Sequence, residues 1–256
     1  MGTFYNKAVC DFYLGQGAGK KLLEDINRAR HSIKIISPYL TPGLIHSLIA
    51  RHQAGVDVRL ITMDNIEDYY GSYEKNIYKL IRQHRSVDTD AENVRNKWMR
   101  QAEIIALAGY GLLGISILSA VIMAERTLLY GMFPAIFLIL LHQVYRHYIR
   151  NKRIYEYHYS QLFPFKVFRS PNKLYDQSKA IFIHGKIYFI DDRIVYTGSL
   201  NFTIGGTSSN YETRVRTEDP AAVRKIVDEF YTLFNSPYDQ RDIQSWGRLL
   251  YEEPIN

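Results

Sequence analysis

Leu22, Leu23, Ile26 and Ala29 recur at helical spacing through KKLLEDINRAR (20–30), which predicts an amphipathic helix. The period then changes, and SIKIISPYL (32–40) reads as a strand ending at Pro38. TPGLIHSLIARHQAG (41–55) returns to a helix, with Thr41 as N-cap, Pro42 in the first turn and Gly55 as the stop. VDVRLIT (56–62) alternates apolar and polar residues as a strand does. Strand, helix and strand at this spacing predict a parallel pair in a covered sheet. Residues 63–94 are polar and are expected to be mostly helical.

The pattern then loses its polar half. IIALAGYGLLGISILSAVIMA (104–124) and TLLYGMFPAIFLILLHQVY (127–145) contain no Asp, Glu, Lys or Arg. As helices they would be roughly 31 and 28 Å long, close to the ~30 Å hydrocarbon thickness of a bilayer. Ser116, Ala120 and Ala124 recur every fourth position, a small-residue face for close helix packing. Pro134 is expected mid-helix, where membrane helices tolerate it. Arg95, Lys97 and Arg100 precede the pair and Arg146, Arg150, Lys152 and Arg153 follow it, with only Glu125 and Arg126 between the helices. A buried soluble hairpin is the alternative, but these basic flanks favour a membrane hairpin with both soluble segments on the cytoplasmic side. Trp98, Tyr145 and Tyr148 would form its interfacial belt.

Beyond the hairpin, 147–162 is basic and tyrosine-rich, FKVFR (165–169) reads as a strand and SPNKLYDQS (170–178) as a loop. Two tight strands are expected over 180–190 and 193–198 across Asp191–Asp192, and another over ETRVRT (212–217). Residues 219–237 predict an amphipathic helix capped by Asp219, with Val223, Ile226, Val227, Phe230 and Phe234 as its stripe. The organisation is therefore an α/β domain in two parts, 1–94 and 154–256, interrupted by a transmembrane hairpin insertion over 95–153.

Charge and cysteine content narrow the setting. The formal charge of +6 suits an anionic partner such as phosphate, nucleic acid or an anionic membrane. The single cysteine, Cys10, forms no intrachain disulfide. MGTFYNKAVCDFYLGQGAGKK lacks the apolar run of a signal peptide and the Ser or Thr of a myristoylation signal.

The chemistry concentrates in IHGKIYFIDDRIVYTGSLN (183–201). In a strand, His184 and Lys186 would project to one face with Gly185 between them. Two potential cations on an apolar strand call for an anion beside them. The chain continues with four residues, Asp191, six residues, Gly198-Ser199-x-Asn201, and then Asn210-x-Glu212. This pattern resembles the phospholipase D superfamily signature, His-x-Lys-x4-Asp-x6-Gly-Ser-x-Asn with a downstream glutamate. The resemblance is strong over 165–235, weaker over 20–62 and absent from the hairpin. It implies a phospholipase D-like α-β-α sandwich with a mixed sheet.

It also implies a phosphodiesterase working through a phosphohistidine. The catalytic set is His184, Lys186, Glu212 and Asp191, and the phosphate-binding set Lys186, Ser199, Asn201 and Gly198. Lys186, the Asn201 amide and the Ser199 hydroxyl would donate to the oxygens that gain charge in the transition state. Glu212 is the candidate to bond the far nitrogen of His184. Asp191 lies in a turn, where a structural role is expected. Family members use two histidines and this chain has one motif, so a homodimer sharing its site across a twofold axis is implied. No cofactor and no metal are expected. GQGAGK (15–20) lacks the Walker spacing and reads as a flexible helix start. The hairpin favours a membrane phospholipid substrate. GSLNFT with Asn210-Tyr-Glu212 looks more like the small nucleases, so nucleic acid is the alternative. Tyrosines 148–159 would serve either as a membrane belt or as a stacking platform for single strands.

Overall fold

The computed structural model describes residues 2–64, 77–170, 181–237, 240 and 242–256. In chain order the elements are β1 (Cys10–Gln16), α1 (Lys20–Arg28), β2 (Ser32–Ile36), α2 (Pro42–Gln53), β3 (Asp57–Met63), β4 (Ile81–Val87), α3 (Thr89–Ile122), α4 (Met132–Asn151), β5 (Tyr155–Gln161), β6 (Phe165–Phe168), β7 (Ile187–Ile190), β8 (Ile194–Gly198), β9 (Tyr211–Thr217), α5 (Pro220–Phe234) and α6 (Ile243–Leu250). They form two compact units: Met1–Arg82 with Tyr159–Leu250, and Gln83–His158 with Tyr251–Asn256.

The first unit is built on a mixed sheet in the order β1-β9-β8-β7-β2-β3-β6. β2, β3 and β6 run parallel, and the other neighbours are antiparallel. All five residues of β2 are buried, as they must be in a strand covered on both faces. Ile36, Ile61, Phe189 and Val195 pack against Val223, Phe230 and Phe234 of α5, whose cap is the Asp219 carboxylate accepting from Ala221 and Ala222 N–H. Each such side chain contributes about 1.5–3 kcal/mol when removed from water. On the opposite face the buried Tyr196 hydroxyl of β8 donates to Asp25 of α1, 2.5 Å away, and α2 lies on β3. The result is an α-β-α sandwich.

Two helices long and apolar enough to cross a membrane, Thr89–Ile122 and Arg126–Asn151 (a 3-10 turn plus α4), dominate the second unit. Their seam differs from the expected one. Ala102, Gly109 and Ser116, spaced by seven, are the buried positions of α3 together with Ala91. A Cβ on Gly109 would stand 3.1 Å from Leu138 Cβ, so glycine lets α4 approach there. Ser116 belongs to this seam; Ala120 is half-buried and Ala124 lies past the end of α3 at φ 51°. Pro134 falls in the first turn of α4 rather than mid-helix, because α4 begins only at Met132. There its missing N–H costs nothing.

Other expectations need correction. The region 63–94 contains the strand β4 before α3 begins, paired with β5. The strand over 180–190 forms ladder pairs only from Ile187, since its neighbour β2 stops at Ile36 ahead of Pro38. The tyrosines of 148–159 do not form one surface: Tyr157 and Tyr159 are buried, while Tyr148 is exposed on α4. β1 and α6 were not foreseen. The loop expected over 170–178 lies, apart from Ser170, outside the described residues.

Candidate active site

All the candidate residues except Asp191 collect at one end of the central sheet, where β7 begins, β8 ends and β9 begins. β7 and β8 are joined by a tight turn with Asp191 and Asp192 both in the left-handed region, at φ 53° and 50°. The Arg193 N–H closes it on the Ile190 carbonyl at 3.0 Å. Asp191 therefore stands at the far end of β7, about 13 Å of strand from the loop holding His184. Its carboxylate accepts from the backbone N–H groups of Arg30 (3.0 Å), His31 (2.7 Å) and Ser32 (3.0 Å). Burial pushes its pKa up, but these three bonds outweigh burial and hold it below the usual carboxylate value. Asp192 pairs at 2.5 Å with the buried ammonium of Lys34. The turn is thus tied to β2 twice.

At the near end, residues 181–186 run without ladder bonds. Ile183 is buried in the α5 core, and the exposed His184 ring stacks on Phe182 with centroids 5.8 Å apart. Lys186, 9% exposed, donates to the His184 carbonyl at 2.8 Å. Its Nζ lies 3.2 and 3.4 Å from the two ring nitrogens of His184. Desolvation lowers its pKa, opposed by attraction to Glu212.

Gly198 ends β8 at φ 155°, and a Cβ there would sit 2.1 Å from the Thr213 carbonyl. Only glycine lets β8 and β9 meet so closely. Ser199 follows, accepting from Thr213 N–H at 3.0 Å and donating its hydroxyl to Glu212. Asn210 donates to the other Glu212 oxygen at 3.2 Å. Among the described residues Glu212 thus bonds Ser199 and Asn210, not His184 as expected. The buried Asn201 Oδ1 has no partner among the described residues, which leaves its side-chain amide uncommitted.

Sequence reasoning missed the supports of this loop. Ser37 Oγ accepts from Phe202 N–H at 2.9 Å and donates to the Tyr39 carbonyl at 2.7 Å. The buried Tyr188 hydroxyl donates to the Leu200 carbonyl at 2.8 Å, and burial drives its pKa upward, so it remains a donor. A Cβ on Gly206 would fall 2.6 Å from the Asn201 carbonyl. Gly19 of the glycine-rich segment is explained likewise, since a Cβ there would be 2.4 Å from Thr207 Cα. Tyr188 alternates in β7 with core residues and carried no separate signal. The arrangement offers an exposed imidazole, a desolvated ammonium beside it, and an uncommitted amide and a hydroxyl on adjacent loops. That set can bind and attack a phosphodiester.

A family model described as cardiolipin synthase, PLD-like domain, matches residues 22–108 and 135–234. Mitochondrial cardiolipin hydrolase from Danio rerio is 36% identical over 62 residues, covering 24% of this chain and 27% of that protein. The match therefore spans about a quarter of that relative's length. NucT from Helicobacter pylori aligns over 90% of this chain and 98% of its own, with 14% identity and a TM-score of 0.46. Nuc from Salmonella typhimurium, a phospholipase D family member, aligns over 91% and 98%, with 17% identity and a TM-score of 0.42.

Proposed function

This chain belongs to the phospholipase D superfamily, a superfamily of phosphodiesterases, and on that premise we propose that it is a membrane-held enzyme that cleaves or exchanges phospholipid head groups. One observation carries this reading most directly. Lys186 is buried against His184 with no carboxylate within 4.0 Å among the described residues. It bonds the His184 carbonyl and feels Glu212 at longer range, and a bound anion would complete its charge pairing.

In the proposed reaction His184 attacks phosphorus, forming a P–N bond as the P–O bond to the head-group alcohol breaks. The leaving oxygen takes a proton from the partner's His184 in a twofold homodimer. Water or an acceptor alcohol then attacks phosphorus, gives its proton to that same imidazole and breaks the P–N bond, releasing phosphatidate or a new phosphatidyl ester. Lys186 and the Asn201 amide hold the non-bridging oxygens, and the Ser199 hydroxyl joins them only when its proton turns from Glu212 to the phosphate. Glu212 orients Ser199. The parts 1–94 and 154–256 form one catalytic domain, and the hairpin insertion 95–153 spans the bilayer with both parts on the cytoplasmic side. That hairpin would turn a search through solution into one within the membrane plane.

A membrane-tethered endonuclease is the second reading. The same chemistry serves any phosphodiester, and GSLNFT with Asn210-Tyr-Glu212 supports it. The buried Tyr157 and Tyr159 remove two members of the supposed stacking platform. The test offers labelled phospholipids together with DNA and RNA to bilayer-reconstituted protein in EDTA, with His184→Ala as the blank. Phosphatidate or a transphosphatidylated product is expected, lost by at least about 10²-fold in the variant. Cut nucleic acid beside intact lipid would overturn the lipid reading.

A further inference from the structure

Where α3 and α4 approach the basic flanks, Trp98, Val144, Tyr145 and Tyr148 line an open cavity of about 300 Å³. Trp98 and Tyr148 meet edge to face, with centroids 6.1 Å apart. The Lys152 ammonium lies over the Trp98 ring, 6.0 Å from its centroid. Arg95 stands one turn before Trp98 on α3, between the buried Ala91 and Ala102, and its Nε is buried without a partner among the described residues. Neither Arg95 nor Lys152 has a carboxylate within 4.0 Å among the described residues, whereas the neighbouring Arg153 is paired with Glu253 at 3.4 Å.

A buried guanidinium nitrogen without a partner is costly, and a cation held over an aromatic wall adds charge to an apolar notch. We infer that this notch is a binding site for one anionic phospholipid of the adjoining leaflet, distinct from the substrate at His184. The lipid phosphate would lie between Arg95 and Lys152, and its glycerol and upper acyl carbons against Trp98, Val144 and Tyr148. Zwitterionic lipid fits less well, because its own ammonium would meet Lys152. This inference rests on the membrane reading of the hairpin.

The test uses the full chain carrying His184→Ala, so that no lipid is consumed, in phosphatidylcholine nanodiscs. Trp98 fluorescence is quenched by brominated lipid, either phosphatidylglycerol or phosphatidylcholine at equal mole fraction. Trp246 is buried in the first unit and serves as the background, subtracted with Trp98→Phe. Phosphatidylglycerol should quench more strongly, and Arg95→Gln or Lys152→Gln should weaken its preference about fivefold for each cation removed. Arg95→Lys and Lys152→Arg should keep it, which separates lost charge from lost fold. Equal quenching by the two lipids would overturn the site while leaving the membrane hairpin in place. No quenching by either would overturn the membrane reading itself. Full release of the brominated lipid by inorganic phosphate would mean that a bare anion suffices, and would also overturn the lipid site.

Discussion

Lys186 spends stability on a charge that folding alone would discard. Its pKa is lowered by desolvation, so its protonated form costs the folded state free energy below that pKa, and the cost is relieved as pH rises through it. Lys186→Met should therefore abolish turnover while raising stability by about 1 kcal/mol, read from denaturant midpoints. A stable, active variant would remove Lys186 from the chemistry. In the wild type the alkaline limb of kcat/KM should fall below the ordinary lysine value of 10.5, where the ammonium is lost. Asp191 shares the direction, stability rising with pH, but here the charge is the stabilising form. Its folded pKa is depressed, so its contribution is complete above 3.8 and disappears as pH falls below that. Asp191→Ala should cost about 2 kcal/mol by leaving three backbone donors unmet, yet leave kcat unchanged wherever the variant is folded. A collapse of kcat without a loss of stability would contradict that assignment. The residue types and spacings of His184, Lys186, Ser199 and Asn201 were legible because they lie within one short run. The Glu212–Ser199 bond was not, since it depends on the register that sets Gly198 opposite Arg214.

Elements with a strong period were the legible ones. α2, α5 and the two apolar helices each carried a cap or an unbroken apolar stripe. β1, β4 and β5 did not, because β1 is an edge strand with nearly every side chain exposed, and β4 and β5 form only a two-stranded ribbon. β1 and β4 bury no alternating face, so no alternation is written into them. β5 turns Tyr157 and Tyr159 inward and Glu156 and His158 outward, an alternation masked by inward side chains that are tyrosines among polar and basic neighbours. α6 is short, and its anchor is a tertiary one: Gly247 lies so close to the Tyr159 ring that a Cβ would stand 2.1 Å away. The junction of β8 and β9 is the most exacting contact near the site. Gly198→Ala should cost about 2 kcal/mol or more and lower activity with it, because the strands must separate to admit the methyl group. Unchanged thermal unfolding in this variant would show that β9 has room to shift.

Taken as a whole, the proposed enzyme has one motif per chain and needs two histidines. If the site is shared, wild-type chains diluted with His184→Ala chains should lose activity as the square of the wild-type fraction. Independent sites would give a straight line. Coexpression with distinguishable tags, followed by activity per wild-type chain, tells the two apart. The sheet itself sets a different kind of condition. β2 precedes the hairpin, yet its partner β7 follows it, with Ile33 opposite Ile190, and β1 pairs with β9 across a still longer span. At ribosomal speeds of about 5–20 residues per second, β2 waits roughly eight to thirty seconds for that partner. Both apolar helices are made during this interval, so on the proposed topology the ribosome delivers them to the bilayer before the catalytic sheet can close. A newborn chain would then be anchored first and become an enzyme second.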